Sequence, residues 1–410
     1  MKSFLLSFLL TGLVFLLGAQ DSLQNEATRK LHEIFELEQK YGEQEDNPPF
    51  PKVLPASQKE RADFWQDLLD QLEEVPSNAL TKTDRINLAV FKYILQDRIA
   101  QYEYQAYLIP FNAEGGFYNA LNAGRGGRFR SAEDYQKFHD RLRDFPRYMR
   151  ENMQLMRLGI EKGVTAPRLI ADNYRVLIGP YLQTPVEEHI LYTPYLEMPE
   201  NIGPAAADSI RRTGRQLIRD SILYIYRRFD EFMQEDYLPA AREEAGIYGI
   251  PQGKDYYEQR VAYFTSLDVT PEEVFQTGQR EVARIRQAME SIIREVGFEG
   301  DFAAFLHFLR TDPQFYLTKP QALLEKASYW SKKIDGRLPA YFGTLPRLPY
   351  GVAPVPDAIA PNYTGGRYVP GSSRRHRAGT YWVNTYKLDS RPLYVLPALT
   401  LHEAVPGHHL

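Results

Sequence analysis

Apolar residues recur at three- and four-residue intervals along most of the chain. The pattern is clear over residues 25–41 and 57–72, where apolar positions are interspersed with charged ones. This spacing is typical of amphipathic α-helices that bury one face. The proline-rich segment 47–51 predicts an extended linker between these two helices. The hydrophobic pattern of this region therefore predicts an α-helical structure.

Two longer helices are predicted in the middle of the chain. Over residues 131–162, aromatic and aliphatic residues fall at helical intervals, and Pro146 is expected to kink or divide the helix. The second helix begins at Thr270, whose hydroxyl can cap it together with Pro271 and the carboxylate of Glu273. Its apolar residues share one face that is expected to pack in the core, namely Val274, Gly278, Val282, Ile285, Met289 and Ile292.

The pattern changes near residue 340. Residues 345–370 are rich in Pro and Gly, which indicates ordered but irregular loops. Residues 380–386 are rich in β-branched and aromatic side chains and predict a strand, and a further helix is expected from Leu393 to at least Val405. The predicted fold class is therefore mainly α, a large helical scaffold with a small β element just before the last helix.

The first residues have the pattern of an export signal. Lys2 precedes an apolar run over residues 4–17, and the small residues Gly18 and Ala19 precede a polar stretch. Residues 1–20 are therefore interpreted as a signal peptide, and an uncleaved anchor is the weaker alternative because a spanning helix needs about 20 apolar residues. No cysteine follows the apolar run, so a lipid anchor is not expected. The mature protein is predicted to be periplasmic or secreted, with no membrane span.

Composition narrows the function classes. The 410 residues include 49 Lys and Arg against 53 Asp and Glu, a balance that does not suit a protein that coats nucleic acid. The chain has no cysteine, which excludes disulfides, a thiol nucleophile and thiolate metal sites. Apolar residues make up 43% of the chain, enough for a sizeable core. Metal or nucleophilic chemistry must therefore use histidines, carboxylates and hydroxyls.

The strongest chemical signal lies in the last nine residues. His402 and His408 are six positions apart, which on an ideal helix separates them by about 9 Å along the axis and about 120° around it. At that separation the two histidines could not bind the same zinc ion. Pro406 and Gly407, however, can loop out and restore a four-residue spacing. In that hypothesis both histidines bind Zn²⁺ and Glu403 is the general base. The alternative is a helix end whose histidines cap or pack without metal.

Three other residues near this motif are weaker candidates, and His409 is expected to be a surface or supporting residue rather than a ligand. Tyr381 and Asn384 lie on the predicted strand and are candidates for substrate binding, although ordinary strand packing explains them equally well. Arg391 is a candidate for binding a carboxylate, but the preferred interpretation is that it simply starts the last helix.

The segment from His402 to Leu410 resembles the signature of the family known as domain of unknown function 885, bacterial zinc metallopeptidases of the zincin type. Residues 131–168 and 248–253, the helix at Thr270 and Asn384 are also similar to this family. The resemblance implies a largely helical fold, zinc bound through His402 and His408, Glu403 as the catalytic acid and base, and a peptide substrate.

The sequence departs from the family pattern at its end. Family members continue beyond this motif to a glutamate that is expected to be the third zinc ligand, whereas this sequence ends at Leu410. Residues 21–410 are therefore interpreted as a helical metallopeptidase domain without its C-terminal part, which alone would bind zinc loosely. Two alternatives stay open: an exported helical binding protein with a structural or vestigial His cluster, and a zinc amidase acting on cell-wall peptides.

Overall fold

The mainly helical fold predicted from the sequence is confirmed. A computed structural model of the chain describes residues 24–44, 49–124, 129–357, 359–373 and 376–410. About 66% of the described residues are helical and 6% lie in strands. The segment interpreted as a signal peptide lies outside the described residues. Among the helices that are described, none is long and apolar enough to cross a membrane.

The chain divides into two compact units, Met1–Phe275 and Gln276–Leu410. The described part of the first unit is built from helices, with one hairpin of two-residue strands, β1 (Phe111–Asn112) and β2 (Gly115–Gly116). Its helices are α1 (24–44), α2 (Pro55–Glu73), α3 (Lys82–Glu103), α4 (Ala132–Lys162), α5 (Arg168–Ala171), α6 (Tyr174–Gln183), α7 (Pro204–Leu217), α8 (Leu223–Phe232), α9 (Leu238–Ala240) and α10 (Gly253–Thr265).

Helix α4 contributes the largest buried face of the first unit. It starts in a capping box, in which the Ser131 hydroxyl accepts a hydrogen bond from the Asp134 amide and the Asp134 carboxylate accepts one from the Ser131 amide. It ends at Gly163, whose φ of 70° requires the left-handed region. Pro146 lies inside one continuous helix, so it does not divide α4 in two. The buried face includes Tyr135, Phe138, Leu142, Phe145, Met149, Met153 and Met156.

Helix α11 (Pro271–Glu295) begins where the sequence predicts but is not buried as predicted. The Thr270 hydroxyl accepts a hydrogen bond from the Glu273 amide at 3.2 Å, and the Glu273 carboxylate accepts one from the Thr270 amide at 2.8 Å. The expected core face is exposed, however, with Val282 at 69% and Ile292 at 52%. Helical periodicity identifies residues that share a face, but it does not show whether another segment covers them.

The described part of the second unit combines helices with a small sheet. Its helices are α12 (Phe302–Thr311), α13 (Pro320–Asp335) and α14 (Leu396–Glu403), and its strands are β3 (Tyr350–Pro354), β4 (Gly366–Val369) and β5 (Gly379–Val383). The strand order is β3–β5–β4, with β3 parallel and β4 antiparallel to β5. Helices α13 and α14 bury Leu323, Ala327 and Leu396 against Tyr381 and Val383 of β5. This packing holds the end of α14 beside β4.

Candidate metal centre

Helix α14 ends at Glu403, two residues before the predicted position, because the chain turns there. The Gly407 amide donates to the Leu401 carbonyl at 3.0 Å and the His408 amide donates to the His402 carbonyl at 2.9 Å. Both bonds span six residues, two more than in an α-helix. A Cβ atom at position 407 would lie 1.8 Å from the His402 carbonyl oxygen, so the turn requires glycine. The chain therefore makes the two-residue excursion that the sequence predicts.

This excursion brings His402 and His408 together. Their ring centroids lie 4.9 Å apart with the rings nearly perpendicular. One ligand atom from each histidine and one from Glu403 all lie within 4.8 Å of one another. Two nitrogens bound to a common zinc at about 2.1 Å are separated by no more than about 4.2 Å, so a small side-chain rotation brings this donor set to zinc. Two imidazoles and a carboxylate are also ligand types that zinc prefers.

The Glu403 carboxylate is held by a contact from outside its own helix. Its side chain is 11% exposed, whereas that of His408 is 56% exposed. Oε2 accepts a hydrogen bond from the Tyr368 amide of β4 at 2.8 Å and lies 3.9 Å from Nε2 of His408. Oε1 takes part in none of the hydrogen bonds found among the described residues. The carboxylate oxygen that lies nearest to His408 is thus the one held by the β4 amide.

Tyr368 is the residue of this centre that sequence reasoning missed. Its hydroxyl hydrogen-bonds to Nδ1 of His409 at 2.7 Å, and the His409 ring also lies 4.8 Å from that of Tyr350. Burial lowers the pKa of His409. His409 therefore contacts the strand residue whose amide holds Glu403. No sequence motif marks Tyr368, because it approaches Glu403 only through the pairing of β4 with β5.

The two predicted substrate-binding residues lie in the interior. Tyr381 and Asn384 are both 0% exposed. Strand β5 is central and pairs on both sides, so its backbone is not at an edge where a peptide could be added. The Asn384 side-chain amide donates to three carbonyls of the preceding loop, those of Ala360, Tyr363 and Thr364. In this position it organises the loop that leads into β4, and a direct contact with substrate remains only a prediction.

Comparison with known proteins assigns the family. A sequence profile described as "Bacterial protein of unknown function (DUF885)" matches residues 37–410. The chain belongs to the DUF885 family. No curated protein matches this DUF885 member.

One solved structure extends the comparison to the fold of this DUF885 protein. It is described as the crystal structure of "the putative lipoprotein from Colwellia psychrerythraea", and it matches with a TM-score of 0.80 and 19% sequence identity. The match covers 95% of this chain and 71% of that chain. At this identity the similarity shows a shared fold.

Within the described ranges of this DUF885 protein, His402, Glu403 and His408 form the one group of three or more potential metal ligands.

Proposed function

We propose that this protein is a zinc-dependent peptidase that hydrolyses peptide bonds by metal-activated water. The observation that carries the proposal is the convergence of His402, Glu403 and His408 across a turn that skips two residues. The turn at Pro406 and Gly407 keeps two imidazoles and a carboxylate close together. This arrangement favours a function that depends on their placement. A helix end that served packing alone would not need it.

In the proposed mechanism, His402 and His408 hold the metal through ring nitrogens. Both residues are exposed, so the site is open to substrate. Zinc, when bound, supplies Lewis acidity that makes a water molecule acidic enough to attack a carbonyl near neutral pH.

Glu403 is proposed as the general base. The Tyr368 amide holds its carboxylate beside His408, where it can accept the proton of the attacking water and pass it to the leaving amine. The fixed oxygen limits rotation of the carboxylate and so keeps the base in one orientation. This role differs from metal ligation, and the two roles can be separated by experiment.

The edge of β4 is proposed to bind the substrate backbone. The Asn384 amide donates to the Gly365 carbonyl just before β4. Because the backbone groups of successive residues point to opposite sides of a strand, the amide and carbonyl groups of Gly366 and Tyr368 face away from β5. Gly366 is buried and the Tyr368 amide is used by Glu403, which leaves the Tyr368 carbonyl for an added peptide. We further propose that the protein is exported, because its first residues have the pattern of a signal peptide.

The replacement Glu403→Gln tests the assignment. Zinc content should remain that of the wild type, because the histidines stay in place, while peptide hydrolysis should fall by about 10²–10⁴-fold. Elemental analysis and turnover of a peptide library measure the two quantities. His408→Ala is the matched control and should lose both zinc and turnover. Loss of zinc in Glu403→Gln would instead make Glu403 a ligand, and absence of zinc from the wild type under metal-replete conditions would refute the proposal.

A further inference from the structure

A cavity of about 300 Å³ lies beside α14 in the second unit. Its wall is largely apolar and is formed by side chains from α13, β5 and the start of α14, namely Leu323, Val383, Val395, Leu396 and Leu399. One charged side chain, that of Arg391, lines the same cavity. The cavity therefore offers an apolar surface with a single cationic group.

Arg391 is a half-buried residue with one N–H group that has no acceptor in the part of the protein that the structure describes. Its Nε atom is buried and has no hydrogen-bond partner among the described residues. Its Nη1 atom lies near Gly365, where an added Cβ would be 3.9 Å away. Leaving a guanidinium N–H group buried without an acceptor is costly. Within the described ranges Arg391 is therefore not fully paired, and its side chain lines the cavity as the one charged group there.

The preferred sequence interpretation of Arg391, that it starts the last helix, is wrong. Helix α14 begins at Leu396, five residues later. Arg391 instead follows a short 3₁₀ turn, Leu388–Ser390, and its amide donates to the Leu388 carbonyl at 3.0 Å. This turn and the following Pro392 fix the backbone that carries the guanidinium.

The cavity is close to the candidate metal centre. Leu399 precedes Glu403 by four residues on α14, which corresponds to about 6 Å along the helix axis. Gly365 directly precedes β4, the strand whose Tyr368 amide holds Glu403. An extended peptide advances about 3.3 Å per residue. A peptide positioned at Glu403 therefore reaches the cavity with its next one or two residues.

We propose that this cavity binds the C-terminal residue of the substrate, with its apolar side chain against the aliphatic wall and its α-carboxylate on Arg391. This inference rests on the proposed peptidase function and specifies it: the enzyme cleaves close to the free C-terminus of peptides that end in an aliphatic residue. Arginine suits this role because its planar N–H groups match the two oxygens of a carboxylate.

Binding measured without metal tests the inference separately from catalysis. The probes are acetyl-Ala-Leu, its C-terminal amide, and the α-amide of acetyl-Ala-Glu, which carries its carboxylate on a side chain. Isothermal titration calorimetry in EDTA prevents both hydrolysis and binding of the carboxylate to a metal. We expect acetyl-Ala-Leu to bind about ten- to a hundredfold more tightly than either amide, because each amide lacks the charge-assisted bonds at the α-carboxylate position.

The variants assign the preference to this cavity. Arg391→Met keeps the apolar stem and should remove the preference for the acid, whereas Arg310→Met, at an exposed arginine of the same unit, should leave it unchanged. Val395→Trp should fill the cavity from its exposed side and weaken all three probes while Arg391 is intact. Circular dichroism checks that each variant is folded, and the wild-type acid-to-amide ratio decides the matter if Arg391→Met does not fold.

Several results would overturn the inference. These are equal binding of acetyl-Ala-Leu and its amide, an unchanged preference in Arg391→Met, tight binding of the glutamate α-amide, or no binding of any probe to the wild type. None of them bears on zinc content or on the effect of Glu403→Gln. The cavity assignment and the metallopeptidase proposal can therefore fail independently.

Discussion

His139 shows how one buried side chain makes stability depend on pH. It is 3% exposed on α4, its ring stacks on Tyr195 at 5.9 Å, and its Nε2 has no hydrogen-bond partner among the described residues. Burial lowers the pKa of His139 from 6.5 to about 4. The unfolded chain therefore binds more protons than the folded one between these values. Above about pH 6.5 the ring is neutral in both states and does not affect the free energy of unfolding. As the pH drops toward 4, this free energy falls by at most about 3 kcal/mol from this group.

Replacing His139 by Phe should remove this contribution. The aromatic stacking on Tyr195 is retained, so the free energy of unfolding should become less dependent on pH between about 6.5 and 4. Urea unfolding at several pH values measures the slope. His307→Asn, at an exposed histidine, is the matched control and should behave like the wild type. An unchanged slope in His139→Phe would show that another group causes the acid sensitivity.

The turn after α14 is the element on which the candidate metal centre depends. Gly407→Ala places a methyl group against the His402 carbonyl oxygen, so the six-residue hydrogen bonds must open and His408 must move away. Zinc affinity should fall by at least about tenfold, as expected when a ligand loses its orientation. Competition with a chelating dye measures the dissociation constant.

Gly278→Ala is the matched control for the Gly407→Ala substitution. An added Cβ at Gly278 meets nothing within 4 Å, and the residue lies inside α11. This substitution should leave zinc affinity unchanged and raise the free energy of unfolding by about 0.5–1 kcal/mol, because alanine favours a helix over glycine. Equal zinc affinity in Gly407→Ala and the wild type would contradict the role assigned to the turn.

At the scale of the molecule, substitutions on the exposed apolar face of α11 should affect stability much less than a substitution in the core. Val282→Lys with Ile292→Lys should change the free energy of unfolding by no more than about 0.5 kcal/mol, because both side chains are already in solvent. Binding of a hydrophobic dye should decrease, since large exposed apolar patches attract such probes. Leu323→Ala, in contrast, should cost about 2–5 kcal/mol because Leu323 is 3% exposed. A comparable loss in the double lysine variant would show that the α11 face is buried in solution.

The sequence predicted features that depend on near neighbours along the chain. The capping boxes at Ser131 and Thr270 and the excursion before His408 are each determined by a few adjacent residues, and all are present. It did not predict contacts that depend on tertiary pairing. Tyr368 reaches Glu403 from 35 residues away, and Arg391 lines a cavity whose walls come from separate helices and strands. The prediction that the α11 face is buried was wrong for the same reason, because periodicity does not specify which segment covers a face.

The two-residue excursion after Glu403 has a consequence for how such sites are recognised. A search for the pattern His-Glu-x-x-His passes over this chain, because the second histidine stands six positions after the first. Yet the His408 amide bonds to the His402 carbonyl as it would at the end of one uninterrupted helical turn. The spatial register of the ligands is thus kept while their count along the chain changes. Metal-site patterns for helices should therefore permit a Pro-Gly insertion between the ligands.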